Sequence, residues 1–254
     1  METPSRMLEL SPTFLFLVFA VALIYASVGH GGASGYLAVL SLGQLSTVEM
    51  ASSALVLNVL VAGTALAVYG AARRFSWRLF WPFAIASLPA AFFGGRLAIS
   101  HRVYEGLLVP VLLVAAWQLW ARIEMREGLV AGPPRWTIAL PTGVGVGVLS
   151  GMVGIGGGIF LSPLLLLLRW ARAKETAAVS AAFVLLNSLA GIAGRLAGGQ
   201  FQPGVAAPLA GAAFVGGLSG ALLGAHRLSG MALRRVLAIV LLVAVAKIVV
   251  RMAT

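Results

Sequence analysis

The chain has 254 residues, of which 60% are hydrophobic and 10% charged, and its mean hydropathy is +1.01. A soluble globular domain is nearer half apolar and a quarter charged, so the composition excludes one. Eighteen Lys and Arg stand against seven Glu and no Asp, a net charge of +11, but they cluster between apolar runs, where they set topology and meet anionic lipid rather than nucleic acid.

The apolar runs are about 15 to 24 residues long, the length that crosses a hydrocarbon core about 30 Å thick. They occupy nearly the whole chain, which predicts an all-α polytopic membrane protein with one transmembrane domain over 1–254. Residues 1–10 carry one Arg and two Glu, without a basic n-region, so the first run reads as structure rather than as a signal peptide. That run, 11–28, is interrupted by Gly29-His30-Gly31-Gly32-Ala33-Ser34-Gly35, and a short run follows at 36–45. Full-length runs come next at about 48–70, 79–98 and 103–121. The segment 122–136, charged and containing Pro133-Pro134, reads as a linker. The pattern then recurs as 137–153, a break at Gly154-Ile155-Gly156-Gly157-Gly158, a short run at 159–168, and full runs at about 175–197, 204–224 and 231–250.

Gly29, Gly31 and Gly32 align with Gly154, Gly156 and Gly157 at an offset of 125 residues, and His101-Arg102 with His226-Arg227 at the same offset. Glu49 aligns with Glu175 at 126, and Asn58 with Asn187 at 129, which needs a local gap. The chain therefore reads as an internal duplication, 11–121 and 137–251. Four basic clusters, at 73–78, 122–135, 169–174 and 227–235, hold twelve of the eighteen positive residues and belong in the cytoplasm by the positive-inside rule. The uncharged connections at 43–48 and 199–204 suit the outer face. Run 48–70 then goes inward and its counterpart 175–197 outward, so the two repeats are inverted. Inversion needs an odd number of crossings per repeat. Three full helices supply it if each Gly-broken segment enters and leaves on one face, and its short arms favour a re-entrant hairpin over two short spans. Both termini fall in the periplasm and the linker in the cytoplasm. All six Trp lie near predicted helix ends, as in an aromatic belt.

Inverted repeats with interrupted helices are a transporter pattern. A broken helix at membrane depth frees backbone groups, tolerable only where protein, water or a ligand meets them. The short runs each begin after a Gly-rich turn, and their N-terminal N–H groups and dipole favour anions. The candidate anion-binding residues are Gly29, His30, Gly31, Gly32, Ser34 and Gly35 in the first turn and Gly154, Gly156, Gly157 and Gly158 in the second. Asn58 and Asn187 lie deep in full runs and serve either substrate contact or interhelical hydrogen bonding, and Ser52, Ser53 and Ser180 share those helices. Arg96 and Arg195 sit just inside span ends, where they either snorkel or attract the anion. Glu49 and Glu175 open helices as caps, Glu49 within a Ser46-x-x-Glu49 capping box. His30, with Ile155 at its counterpart, either couples protons or satisfies backbone carbonyls as a neutral ring. The sets Gly143-x-Gly145-x-Gly147 and Gly211, Gly216, Gly217 and Gly220 read as packing features. The chain contains no cysteine, which excludes disulfides and thiolate chemistry, and it offers no metal or cofactor motif.

Gly-His-Gly-Gly-Ala-Ser-Gly-Tyr-Leu at 29–37, Gly-Ile-Gly-Gly-Gly-Ile-Phe-Leu-Ser-Pro at 154–163 and Ser-Ala-Ala-Phe-x-x-x-Asn-Ser at 180–188 resemble the TauE/SafE sulfite exporter family, over both halves of the chain. The resemblance implies a non-enzymatic transport protein of the bacterial inner membrane. It implies export of sulfite, an organosulfonate or a related sulfur anion, driven by an H+ or Na+ gradient, and leaves the oligomeric state open. Two other readings compete. A passive anion channel also uses helix N-termini and Arg-lined entrances. Gly32-Ala33-Ser34-Gly35 fits the G-x-S-G pattern of rhomboid intramembrane proteases, but His101 and His226 lie at helix ends, away from Ser34.

Overall fold

A computed structural model describes residues 11–40, 45–97, 113, 117 and 132–253. The expected run at 103–121, apart from Leu113 and Trp117, most of the linker, and His101-Arg102 lie outside the described residues. The helices are α1 (Pro12–Ser27), α2 (Ala33–Leu40), α3 (Thr47–Ala71), α4 (Trp77–Arg96), α5 (Trp136–Val153), α6 (Gly158–Leu167), α7 (Ala173–Ala197), α8 (Ala206–Leu222, continued by a π-turn Leu223–Arg227) and α9 (Gly230–Ala253). No strand occurs among the described residues. Among the described residues, four helices are long and apolar enough to cross a membrane: α3, α5, α7, and α8 with its π-turn. The first, 16-residue α1, and the 10-residue α6 are shorter, about 24 and 15 Å at the helical rise.

Local chemistry sets the ends. Ser11 Oγ accepts from the Phe14 N–H at 3.3 Å, and Pro12 stands where no intrahelical donor is needed. Ser46 and Glu49 form the expected capping box, with Glu49 N–H to Ser46 Oγ at 3.2 Å and Ser46 N–H to Glu49 Oε2 at 3.0 Å. Glu175 accepts from the Arg172 N–H at 3.1 Å. The α1 helix ends in a left-handed Gly29 (φ 76°), across which the His30 N–H reaches Tyr25 O at 2.9 Å. The same closure follows α3 and α6, but there the left-handed residues are Arg73 (φ 54°) and Arg169 (φ 56°). Both short helices start earlier than their apolar runs. Ala33, Ser34 and Gly35 form the first turn of α2, and Gly158 is the first residue of α6.

Close pairing organises the bundle. The α1 helix lies along α8 and α5 along α4, while α3 and α7 pack on each other and also on α8 and α4 respectively. In each close pair a row of glycines at every fourth position meets backbone carbonyls. Gly216, Gly220 and Gly224 face the carbonyls of Phe19, Leu23 and Ser27; Gly143, Gly147 and Gly151 face those of Phe83, Ser87 and Ala91. The packing reading of the other glycines holds for Gly217, against Val61, but not for Gly145 or Gly211, where an added Cβ would meet nothing within 4 Å among the described residues. Two of the cores follow the same exchange: one joins α1, α2 and α3 to α8 and the start of α7, the other joins α4 to α5, α6 and α7. Trp77 and Trp81 stack at 5.8 Å and are exposed, as is Trp136, whereas Trp170 is buried against Phe83 and belongs to the core instead of a belt.

A side chain at Gly147 or Gly220 would meet backbone, which cannot swing away as a flexible side chain can. Gly220→Val and Gly147→Val are expected to destabilise the bundle by at least about 1–3 kcal/mol, whereas Gly211→Ala should be neutral. Thermal unfolding in detergent micelles, followed by static light scattering, reads the difference.

Candidate functional site

The two interrupted segments meet. A small cavity with room for about one water is lined from one half by Tyr25, His30, Gly31, Gly32 and Ser34, and from the other by Ile155, Gly158, Ile159 and Val184. The first turns of α2 and α6 thus face the same space. No charged side chain lines it among the described residues.

The glycines divide by what they do. Gly31 is not left-handed; it is small because the Asn58 amide and Val184 stand where a Cβ would be. Gly156 (φ 76°) has both a left-handed backbone and the Asn58 and Ser188 side chains against it. Gly157 (φ 79°) fits beneath Val146 and Phe183, and Gly158 lies beside Val184 and the His30 ring. Gly29 and Gly154 sit against the backbone of α7 at Ala177 and of α3 at Ala51, so they bring the turns close to the central helices rather than lining the cavity. Gly32 packs on Tyr36, and Gly35 on Val21 and Tyr25.

Asn58 lies between the two turns, fully buried. Its Nδ2 donates to Ile155 O at 3.3 Å and to Ser188 Oγ at 3.4 Å, while Oδ1 faces Gly31 without a hydrogen-bond partner. Asn187 lies elsewhere: its Oδ1 accepts from Ser87 Oγ at 2.6 Å and its Nδ2 donates to Phe183 O at 2.9 Å, which ties α7 to α4. Val184, at the 126-residue offset that relates Glu49 to Glu175, holds on α7 the place of Asn58 on α3, against Gly31, Gly156 and Gly158. The glycine turns are therefore paired, but the asparagine between them is single.

Arg96 and Arg195 part company as well. Arg96 is exposed, with its guanidinium 5.9 Å from the Phe92 ring centre. Arg195 is only 6% exposed and donates from Nη2 to Met152 O at 2.8 Å, at the carboxyl end of α5. In the other half, Tyr69 OH donates to Ser27 O at 2.6 Å, at the end of α1. Ser27 and Met152 are 125 residues apart, and Tyr69 and Arg195 are 126 apart. Each central helix thus supplies one donor to the carbonyl end of an interrupted helix, where a positive group also suits the dipole.

Two site residues, Ser162 and Tyr25, escaped the sequence reading. His30 Nε2 lies 2.8 Å from Ser162 Oγ, which lies 2.7 Å from Ser180 Oγ, a buried chain across the two halves. Tyr25 OH lies 2.8 Å from Ser34 Oγ. Ser162 closes the 154–163 motif without standing out in it and Tyr25 belongs to no motif; only the crossing of chain halves sets Ser162 beside His30. Ser52 bonds Gln200 O and the Gln202 N–H at the connection after α7.

The family model for "Sulfite exporter TauE/SafE" matches residues 14–248, nearly the whole chain. The chain belongs to the TauE/SafE sulfite exporter family. It is a helical, multi-pass membrane protein of a transporter family. It is 38% identical over 182 residues to "Probable membrane transporter protein y4hK" of Sinorhizobium fredii (strain NBRC 101917 / NGR234), covering 70% of this chain and 74% of that protein. No solved structure matches it significantly.

Gly156→Ala in this TauE/SafE protein forces a side chain into a left-handed position, at about 1–2 kcal/mol, and against Asn58. Asn58→Leu leaves the Ile155 carbonyl without its donor, a loss of about 1–3 kcal/mol. Chemical denaturation monitored by tryptophan fluorescence is expected to show both losses.

Proposed function

We propose that the protein exports a small sulfur-containing anion, sulfite or an organosulfonate, across the bacterial inner membrane, coupled to an ion gradient. The anion binds between the 29–35 and 154–158 turns. The observation that carries this reading is the convergence of the first turns of α2 and α6 on one cavity that no charged side chain lines among the described residues. Two helix N-termini offer N–H groups and the positive ends of two dipoles to one anion. A site built from backbone avoids the cost of an empty buried lysine or arginine, and the absence of a nearby carboxylate among the described residues avoids repulsion. Gly31, Gly32, Gly157 and Gly158 admit the anion to the backbone, Ser34 adds a hydroxyl, and Asn58 holds the two turns in register. Asn187 and Arg195 act on the frame, by tying α7 to α4 and to the end of α5.

The halves are inverted repeats, each with a re-entrant α-helical hairpin. The matched pairs α1–α8 and α5–α4, and the paired donors Tyr69 and Arg195, support a two-fold relation. Space for about one water is less than sulfite needs, so the halves must part to admit it; this favours alternating access over an open channel.

Two experiments test this. In proteoliposomes, the wild type should accumulate sulfite, thiosulfate or a sulfonate against its concentration gradient when a proton or sodium gradient is imposed; strictly downhill flux would make it a channel. Gly31→Val and Gly157→Val should insert normally and lose at least about 90% of flux, as expected when 1.4 kcal/mol or more of binding is removed. Single cysteines at Met1, Gly128 and Thr254, placed in the naturally cysteine-free chain, should label from outside, inside and outside respectively. Cytoplasmic labelling of either terminus contradicts the inverted arrangement.

A further inference from the structure

A second small cavity lies on the far side of the His30–Ser162 contact. It is lined by Val28, Ser162, Leu166, Ala173, Thr176 and Leu233, at the start of α7 and against α9. His30 lines the first cavity and Ser162 the second, and the 2.8 Å contact between Nε2 and Oγ joins them. Each end of this contact has an open valence. His30 Nδ1 is buried and has no hydrogen-bond partner, and neither does Thr176 Oγ1, which faces the second cavity from one turn below Ser180. A histidine present only to satisfy backbone groups would not need a hydroxyl ladder leading away from it.

We propose that His30 and Ser162 form the proton path of this transporter, carrying the coupling proton between the substrate cavity and the Thr176 chamber. This rests on the anion-transport reading above and names its coupling ion as H+. Imidazole suits the task because one nitrogen accepts while the other donates, and because its ordinary titration lies nearest neutral pH. A proton arrives at Nδ1 from the substrate cavity. The Nε2 proton passes to Ser162 Oγ, whose own hydroxyl proton goes on to Ser180 or to water in the Thr176 chamber. One proton enters, one leaves, and the ring is again neutral in its other tautomer. The reverse sequence carries a proton the other way.

Among the described residues, the surroundings carry no competing charge. From α1 the Tyr25 phenol faces His30, with ring centres 6.4 Å apart; from α2 comes Ser34, from α6 Ser162, and from α7 Ser180, with Thr176 a turn further on. Among the described residues, no charged side chain lines either cavity. The described carboxylates, Glu49 and Glu175, cap helix ends, and Lys174 donates to Ala225 O at 2.9 Å. On the proposed topology, the start of α7 is cytoplasmic, so the second chamber is the inner end of the path.

The test uses the full-length protein in proteoliposomes loaded with a pH-sensitive dye, with sulfite and with isethionate, a strong-acid sulfonate that carries no proton of its own near neutral pH. Downhill anion flux through the wild type should move protons in a fixed ratio. Ser162→Ala should keep the downhill anion flux while lowering that ratio at least tenfold, and Ser162→Thr should restore it. Thr176→Val, which leaves the His30 contact in place, should lower the ratio as well; His30→Gln should abolish proton movement. Wild-type anion flux without proton movement, or an unchanged ratio in folded Ser162→Ala and Thr176→Val proteins, overturns the path and leaves the transport reading standing. No flux of any sulfur anion through the wild type overturns both.

Discussion

Two helices stop inside the bundle, and each leaves carbonyl groups at its end where water is scarce. Unmet backbone groups there cost several kcal/mol each, so much of the structure is an answer to them. Left-handed glycines close the end of α1 at Gly29 and of α5 at Gly154, and the central helices reach across with Tyr69 and Arg195 to meet one further carbonyl each. A phenol and a guanidinium perform the same task at matching places. Both place a donor far from the backbone, at the end of a long side chain, which explains how such different residues came to occupy equivalent positions.

Capping alone would not hold the interrupted helices in place. The short arms are docked by their neighbours: α1 along α8 and α5 along α4, with glycine rows that let carbonyl-bearing backbones approach. Each interrupted helix is therefore gripped by a helix from the opposite half. The exchange makes the two cores interdependent, so that a movement of one half relative to the other must carry helices of both. It also leaves the turns, rather than the long helices, as the place where the halves face one another.

At that place the two-fold likeness breaks down, and the differences are chemical. His30 stands opposite Ile155, Ser34 opposite Ile159, and Asn58 opposite Val184. The glycines that shape the backbone are duplicated, whereas the polar side chains are not: Tyr25, His30, Ser34 and Asn58 come from the first half, and Ser162, Thr176, Ser180 and Ser188 from different places in the second. The frame needs symmetry to bring two helix ends together; a small anion and a proton path need only one set of polar groups.

The sequence by itself determined the membrane class, the glycine-broken segments, the long helices and both carboxylate caps. Those follow from hydropathy, spacing and local hydrogen bonding, which act over a few residues and are written in consecutive positions. The helix starts at Ala33 and Gly158, the burial of Trp170, the separation of Asn58 from Asn187 and the capping role of Arg195 were decided by tertiary structure. Asparagine and arginine show in sequence that they need partners without showing which, because a fraction of a turn about a helix exchanges a cavity for a neighbouring helix. The His30–Ser162–Ser180 chain joins residues up to 150 positions apart. No local pattern encodes it, since serine is common and its hydroxyl acquires meaning only from what the fold sets beside it.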